Sequence, residues 1–561
     1  GLRKDEFFDN EPPDLLMLKF ASSAAHLTGK RLVSSETCTW LGEHFQVALS
    51  QAKPEVDQLF AAGINHIFYH GTPYSPADAA WPGWLFYASV HFGPTNPWWD
   101  DFQYLNGYAG RCQALLQSTA PANDVLLYFP LHDIWHDAKG LQKQLTVHNI
   151  DDWLIDTPFY EAASTLTEEG FAFDYVSDAF LEKAVVENGQ LLLGESAYKT
   201  VVIPETPMMP EATLARIFEL AGAGATILFL GEVPQEVPGF HHLAARREKM
   251  TTLQQHWARA LEASGGGTDM TLGEGRVLEA TPLVEGLDAV PVIPEALATS
   301  GLSMIRQKHA DGYLYFVANL GATAVDDFWP LATEAASVVW MDPLAERSGL
   351  AETKLGDDGA TAVRIALKPG QSAFLRTYST ETVSGPRWPY WKEAGPSIAL
   401  DGMWHVTFTD GGPALPEAFE TETLASWTDR DDAEAKRFGG TARYTLTFDG
   451  PSTSAASWRL DLGTVCESAR VTLNGESVGA SWSLPHEQLL DVPLKAQGNV
   501  LEIDVTNVAA NRIADMDRRK VEWKIFHDTN IVNIRYKPFD ASEWPLMPSG
   551  LLGPVTLTPL E

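Results

Sequence analysis

Apolar positions recur at helical spacing over residues 15–28, where Leu15, Leu18, Ala21, Ala25 and Thr28 share one face and Gly29 can end the helix. A short run at 31–35 then predicts a strand. Residues 43–62 return to the helical period through Val47, Leu59 and Phe60, with Pro54 inside and Gly63 at the close. Residues 64–69 predict a second strand, 104–117 a helix and 124–129 a third strand. Such alternation implies a parallel sheet. The first two runs read as buried parallel strands, and each ends in a residue able to do chemistry, Glu36 and His70. The carboxyl ends of the strands form the active face of a β/α barrel. Three strands do not close one, so only the last units of a barrel are expected.

The period changes further along. The strands predicted at 200–204 and 225–231, with a helix at 210–221 between them, form a small doubly wound α/β unit. It carries no G-x-G-x-x-G at a strand-to-helix turn, so nucleotide binding is not indicated. From about residue 300 alternation with period two takes over, in 312–319 and 362–367. A further all-β block covers 397–561, with strands at 458–462, 469–473 and 500–505, and Asn474-Gly475 is a two-residue hairpin turn. The fold class is therefore multidomain α/β plus all-β. Four units are expected: 1–140, the C-terminal part of a (β/α)8 catalytic barrel; 141–250, an α/β accessory domain; 251–396, a β-rich linker or sandwich; and 397–561, a galactose-binding-like β-sandwich.

Composition narrows the partners. The chain of 561 residues carries 74 acidic and 40 basic residues, a formal charge of −34. Such a surface repels nucleic acid and anionic membranes and suits a neutral ligand or a cation. No apolar run reaches the length of a membrane span. Cys38, Cys112 and Cys466 lie far apart and match neither a zinc spacing nor a disulfide framework. The chain opens Gly1-Leu2-Arg3 with no initiator Met and no signal peptide, which reads as the C-terminal part of a longer protein or as a processed terminus. Periplasmic or secreted location is slightly favoured over cytoplasmic.

Glu36 leads the candidates for chemistry. A carboxylate at the end of Leu-Val-Ser-Ser is costly to bury unless functional or paired, and the alternative is a surface Glu at a strand-to-loop junction. Glu43 and His44 in the next turn are either groups supporting the site or, for Glu43, a helix N-terminal charge. Glu6 is an acid/base group, a hard-metal ligand or a solvated terminal charge. The loop 71–101 is crowded with Trp81, Trp84, Phe86, Tyr87, Trp98 and Trp99. Sugar rings present apolar C–H faces to such rings and need convergent polar partners for their hydroxyls. His70, Tyr74 and Asn96 are candidates for those partners, and Trp81, Trp84 and Trp98 for the rings. The alternative is that these aromatics pack the loop onto the barrel wall. His66 reads as a satisfied core histidine. His132, Asp133 and Trp135 either rim the site or, for Asp133, cap a loop. His26, Cys38 and Cys112 fit no triad or metal spacing.

Several of these stretches resemble glycoside hydrolase family 106, the α-L-rhamnosidases. They include Ala21-Ser22-Ser23-Ala24-Ala25-His26, Val33-Ser34-Ser35-Glu36-Thr37, Gly63-Ile64-Asn65-His66, and His70-Gly71-Thr72-Pro73-Tyr74-Ser75-Pro76. Trp81-Pro82-Gly83-Trp84, Asn96-Pro97-Trp98-Trp99, Phe173-Asp174-Tyr175-Val176-Ser177-Asp178, Asn511-Arg512-Ile513 and the closing Ser549-Gly550-Leu551-Leu552-Gly553 continue it. The resemblance covers nearly the whole chain, with the motifs before residue 135 the most specific. It implies a large bacterial enzyme with a β/α-barrel catalytic domain followed by accessory domains. It implies removal of terminal α-L-rhamnose from a glycan or glycoside with inversion by two Glu residues, and a calcium ion associated with the site. On it, Glu36 matches a catalytic Glu, favoured as general base. Glu6 sits where a further carboxylate, a calcium ligand, is expected. The second catalytic Glu belongs to an earlier strand, which this chain lacks, so the chain alone is expected to be inactive. Two other readings stand beside this one: a non-catalytic carbohydrate-binding protein, and a glycosidase of other specificity, such as a β-galactosidase-like enzyme.

Overall fold

The protein is described here from a computed structural model. It covers residues 14–561 except 41, 88–89, 265–267, 281, 357–358, 526–530, 534 and 536. Helix α1 (Leu15–Leu27) starts at Asp14, whose carboxylate accepts from the Met17 N–H. Strand β1 (Ser34–Thr37), helix α2 (Leu49–Ala61), strand β2 (His66–Tyr69) and helix α3 (Phe102–Gln117) follow. The two strands pair in parallel, with Ser34 opposite His66 and Glu36 opposite Phe68. Among the described residues they form a sheet of two.

This small sheet differs from the sequence expectation in two ways. Its strands are not buried on both faces. Val33 is buried against Ala25 of α1 and Leu59 of α2 and Thr37 is buried, whereas Glu36 is exposed, and Leu32 and Phe68 stay 49% and 54% exposed. A parallel strand reads as continuous apolar sequence when both faces are covered, and here only one is. The strand at 124–129 (Val125–Tyr128) does not join β2. It pairs in parallel with Phe173–Val176 on one side and Thr200–Ile203 on the other. Alternating β and α elements fix parallel pairing but do not say which strand is the neighbour. The helix expected from residue 43 begins only at Leu49, so Glu43 and His44 lie in a loop and not in a first helical turn.

That second sheet is the doubly wound unit. Its strand order is Asp269–Leu272, Gly275–Glu279, Thr226–Phe229, Thr200–Ile203, Val125–Tyr128, Phe173–Val176. Apolar side chains line both faces, Ile203, Ile217 and Met250 on one and Leu127, Phe159 and Val202 on the other. Helix α1 ties the two sheets together. Tyr175 donates through its N–H to Ser23 Oγ and through its hydroxyl to the Leu16 carbonyl.

Two β-sandwiches complete the chain. In the first, a six-stranded sheet containing Gly312–Ala318 and Ser372–Tyr378 packs on a three-stranded sheet centred on Thr361–Leu367, around Tyr315, Trp340 and Ile365. In the second, a six-stranded sheet packs on a four-stranded one around Trp404, Tyr444, Leu460 and Val505. The hairpin at Asn474-Gly475 holds both residues at positive φ, 57° and 85°, which the tight turn requires. The block 397–561 is not all β. Helix Ala510–Arg518 leaves the sandwich, and Ile513, Trp523 and Phe539 pack with Phe45 and Leu85 of the first unit.

Candidate active site

The loops leaving β1 and β2 meet at the carboxyl end of the two-stranded sheet. The His70 N–H donates to the Thr37 carbonyl, which fixes the exit of β2 beside Glu36. The His70 ring lies edge-on to Phe86 and Tyr87, with centroids 4.8 and 5.7 Å away. Gly71 allows this approach, because a Cβ there would stand 2.5 Å from Phe86 Cδ1. Tyr74 is 74% exposed and meets the edge of Trp84 at 6.0 Å. The Trp84 N–H donates to Ser75 Oγ. Trp81 donates through Nε1 to the Thr95 carbonyl, and its ring packs 6.1 Å from Phe45. Glu36, His70, Tyr74, Trp81 and Trp84 thus belong to one end of one small sheet.

Other expected residues lie elsewhere. Trp98 is only 2% exposed, with Nε1 donating to the Val47 carbonyl, so its ring belongs to the core and cannot stack on a ligand. Asn96 is buried and spends its amide on the His91 carbonyl, a loop-fixing role. His66 is half-buried on the open face, edge-on to Phe68, and is not a core histidine. Asp133 accepts from Thr206 Oγ1 and the Met208 N–H, and so caps a loop of the doubly wound unit. His132 faces Asp178 at 3.6 Å there, and Trp135 is exposed on the same helix. These three do not rim the site because their strand sits in the other sheet. His26 bonds buried Asp174, which also accepts from Tyr198. The stretches 21–26 and 173–178 therefore meet in a structural seam. Glu6 lies outside the described residues.

Several polar atoms of the segments around this end, Thr39 Oγ1, Gln46 Oε1, Tyr69 hydroxyl, His70 Nδ1 and His91 Nδ1, are buried without a hydrogen-bond partner among the described residues. Buried polar groups are nearly always satisfied in folded proteins, so each of these atoms is available to bond a polar ligand or water. The pair His44–His91, of which the sequence signalled only His44, shows which kind of group one of these atoms can bond. His44 Nε2 lies 3.0 Å from the Val532 carbonyl, so it donates, and His44 Nδ1 accepts from His91 Nε2 at 2.9 Å. His91 Nδ1 is left as a bare lone pair. Burial holds His44 at about 4 and His91 well below the usual histidine range. Beneath the loop, Glu55 accepts from the Cys38 N–H and from Trp40, and burial raises its carboxyl to about 7. No sequence period signals His91 or Glu55, because each is placed by contacts between loops.

Among the described residues no group of three or more His, Cys, Asp or Glu side chains converges. The three cysteines are buried and free. No described helix is long and apolar enough to cross a membrane.

The family profile of glycoside hydrolase family 106, α-L-rhamnosidase, matches residues 16–327, more than half of the chain. The chain belongs to this family. The rhamnosidase of Novosphingobium sp. PP1Y superposes on all of the chain with a TM-score of 0.78 at 23% identity, and the match takes in 50% of that protein. The family member therefore shares its fold with a rhamnosidase, as a mixed α/β and multi-sheet β protein. A putative beta-glucuronidase of Formosa agariphila is 25% identical over 320 residues, 56% of this chain and 24% of that one. A beta-galactosidase from Bacillus circulans sp. alkalophilus aligns with 66% of the chain, but its TM-score of 0.39 carries no argument. The chain spans half the length of the rhamnosidase it matches and about a quarter of the curated relative.

Proposed function

We propose that this glycoside hydrolase is part of an inverting α-L-rhamnosidase in which Glu36 is the general base. The observation that carries the reading is the place of Glu36: at the carboxyl end of β1, exposed on the open face, beside loops that leave polar atoms unpaired. On this reading the open face of β1 and β2 is the inner face of a (β/α)8 barrel. The carboxylate draws a proton from water as that water attacks the anomeric carbon, and a second carboxylic acid protonates the leaving oxygen. The two stand roughly 6.5–9.5 Å apart, leaving room for the water. Rhamnose carries a methyl group where most hexoses have a hydroxymethyl, so one wall of its subsite is apolar. Phe68 and Tyr87, both exposed here, suit that wall. His70 Nδ1 suits a sugar hydroxyl. Tyr74 offers an open ring to the remainder of the glycan or glycoside. Calcium stays in the proposal through Glu6 alone, and no step is routed through it. A periplasmic or secreted location completes the reading. The name of the Formosa relative supports a second specificity, cleavage of a uronoside, at the same site.

The test is Glu36→Gln in a protein that turns over an aryl α-L-rhamnoside. Turnover is expected to fall by about two to four powers of ten. Near-wild-type turnover by the folded variant removes Glu36 from the reaction. The 561-residue chain alone is expected to release no measurable rhamnose, and release at the rate of a longer protein would place both carboxylates within it.

A further inference from the structure

Arg512 is a cation at the aromatic loop with no counter-charge among the described residues. It lies in the first turn of helix Ala510–Arg518, and its guanidinium carbon is 3.6 Å from the centre of the Trp81 ring. Its other face is covered too. A Cβ built on Gly412 would stand 2.8, 3.0 and 3.1 Å from Nη1, Cζ and Nη2. Near-equal distances to all three put Gly412 over the flat of the group, opposite the indole. Nε is buried with no partner. The edge bearing Nη1 and Nη2 is what remains, and no described residue hydrogen-bonds or ion-pairs with it. Arg430 stacks on Phe419 in the same way with its Nε unpartnered, but it does so in the second sandwich, away from the aromatic loop, and other arginines have carboxylate partners. Arg306, Arg364 and Arg443 each sit on a carboxylate. Burial without such a partner pushes Arg512 down to about 10.

A guanidinium held flat between two surfaces presents a rigid fork of N–H donors in one plane. That fork matches the two oxygens of a carboxylate. The surrounding charge argues against a general role in attracting anions, since the chain carries −34 overall. An anion would be held here by local geometry or not at all. We propose that Arg512, positioned by Trp81, binds the carboxylate of a uronic acid unit, so that the glycan this site takes is acidic. Trp81 then acts by stacking on the arginine, and not as a platform for a sugar. The inference rests on the reading of loop 71–101 as facing a glycan.

Ligand-observed NMR titration of the 561-residue chain tests it, with methyl glucuronide, methyl glucoside and methyl α-L-rhamnoside. The wild type is expected to bind the uronide about ten- to a hundredfold tighter than the glucoside, the strength of a charge-assisted bidentate contact. Added salt narrows that margin. Arg512→Gln removes it, and Arg512→Lys, which keeps the charge without the fork, restores only part. Equal affinity for uronide and glucoside in the wild type overturns the proposal without any variant. Rhamnoside binding in that same experiment would leave the sugar-site reading standing, whereas its absence would sink both. A folded Arg512→Gln protein that keeps the preference places the carboxylate elsewhere and also overturns it.

Discussion

Helix α2 divides two kinds of buried polar ground. On its inner side Lys53 Nζ donates to Asp57 at 2.6 Å, to the Gly370 carbonyl at 2.9 Å and to Ser372 at 3.2 Å. The Tyr108 hydroxyl closes the set on Asp57 and Ser372. Toward the ends of β1 and β2, Thr39, Gln46, Tyr69, His70 and His91 keep atoms with no partner among the described residues, and Glu36 stands exposed. The residue types are similar in the two places. The difference is satisfaction, and it separates groups that hold the first unit to the sandwich behind it from groups left available for a ligand.

The largest effect should come from breaking the satisfied side. Asp57→Ala leaves the Lys53 ammonium buried without its carboxylate, and breaking a buried pair this way costs about 3–5 kcal/mol. Urea unfolding of the variant should show that loss. Replacing both partners with apolar residues, Lys53→Met with Asp57→Leu, should cost much less, because no charge is then stranded. Equal losses in the single and double variants would show that packing, and not the pair, holds the seam.

The next effect is one of pH, and its two parts oppose each other. His44 titrates at about 4 when folded and near 6.5 when unfolded. Between those values the unfolded chain binds more protons, so stability is lost as pH falls from 6.5 toward 4, by about 3 kcal/mol in full. Glu55 has the reverse sign. Its folded carboxyl sits at about 7 against an ordinary 4.5. The folded chain therefore binds more protons between 7 and 4.5, and stability is gained on acidification by a similar amount. His91, held below the usual range beside His44, adds a loss of the same sign as His44, so the wild type should still lose stability between pH 6.5 and 4.5 despite the gain from Glu55. Glu55→Gln removes the compensating gain and should lose about 3 kcal/mol across that range relative to wild type. Parallel profiles for the two proteins would mean that Glu55 is not held protonated.

Some of this was legible in the sequence. The period of α1, the strands at 200–203 and 226–229, and the Asn474-Gly475 hairpin follow from local patterning and turn chemistry, which need no distant partner. Glu36 and His70 were legible as strand-end residues for the same reason. What patterning leaves open is the identity of the neighbour. The strand Val125–Tyr128 has the apolar run of a parallel strand wherever it pairs, and its pairing partners lie at 173–176 and 200–203. Trp98 has the same letter as Trp81, but only a fold tells a core indole from one beneath an arginine. Arg512 and Trp81 meet across more than four hundred residues, a contact that no period announces. The helix Ala510–Arg518 was hidden because its apolar face, Ile513 and Ala514, packs on the first unit and not within the sandwich.

The smallest expected effect is the sharpest test of the contrast. Glu36→Gln changes a charge on the exposed face of β1, where no described residue hydrogen-bonds or ion-pairs with the carboxylate. The replacement keeps the length and branching of the side chain, so the register with Phe68 is preserved. Surface changes away from caps, pairs and cores stay within about 0.5 kcal/mol. Stability in urea should therefore be indistinguishable from wild type, even though the same substitution is expected to abolish most turnover in an active protein. A residue that matters for rate and not for folding is the signature of a group placed for chemistry. If Glu36→Gln instead lost more than about 1.5 kcal/mol, as removal of a buried polar partner does, Glu36 would join Asp57 among the structural carboxylates. The general base would then have to be sought elsewhere, with Glu43 in the loop after β1 and Glu55 on α2 the first to replace.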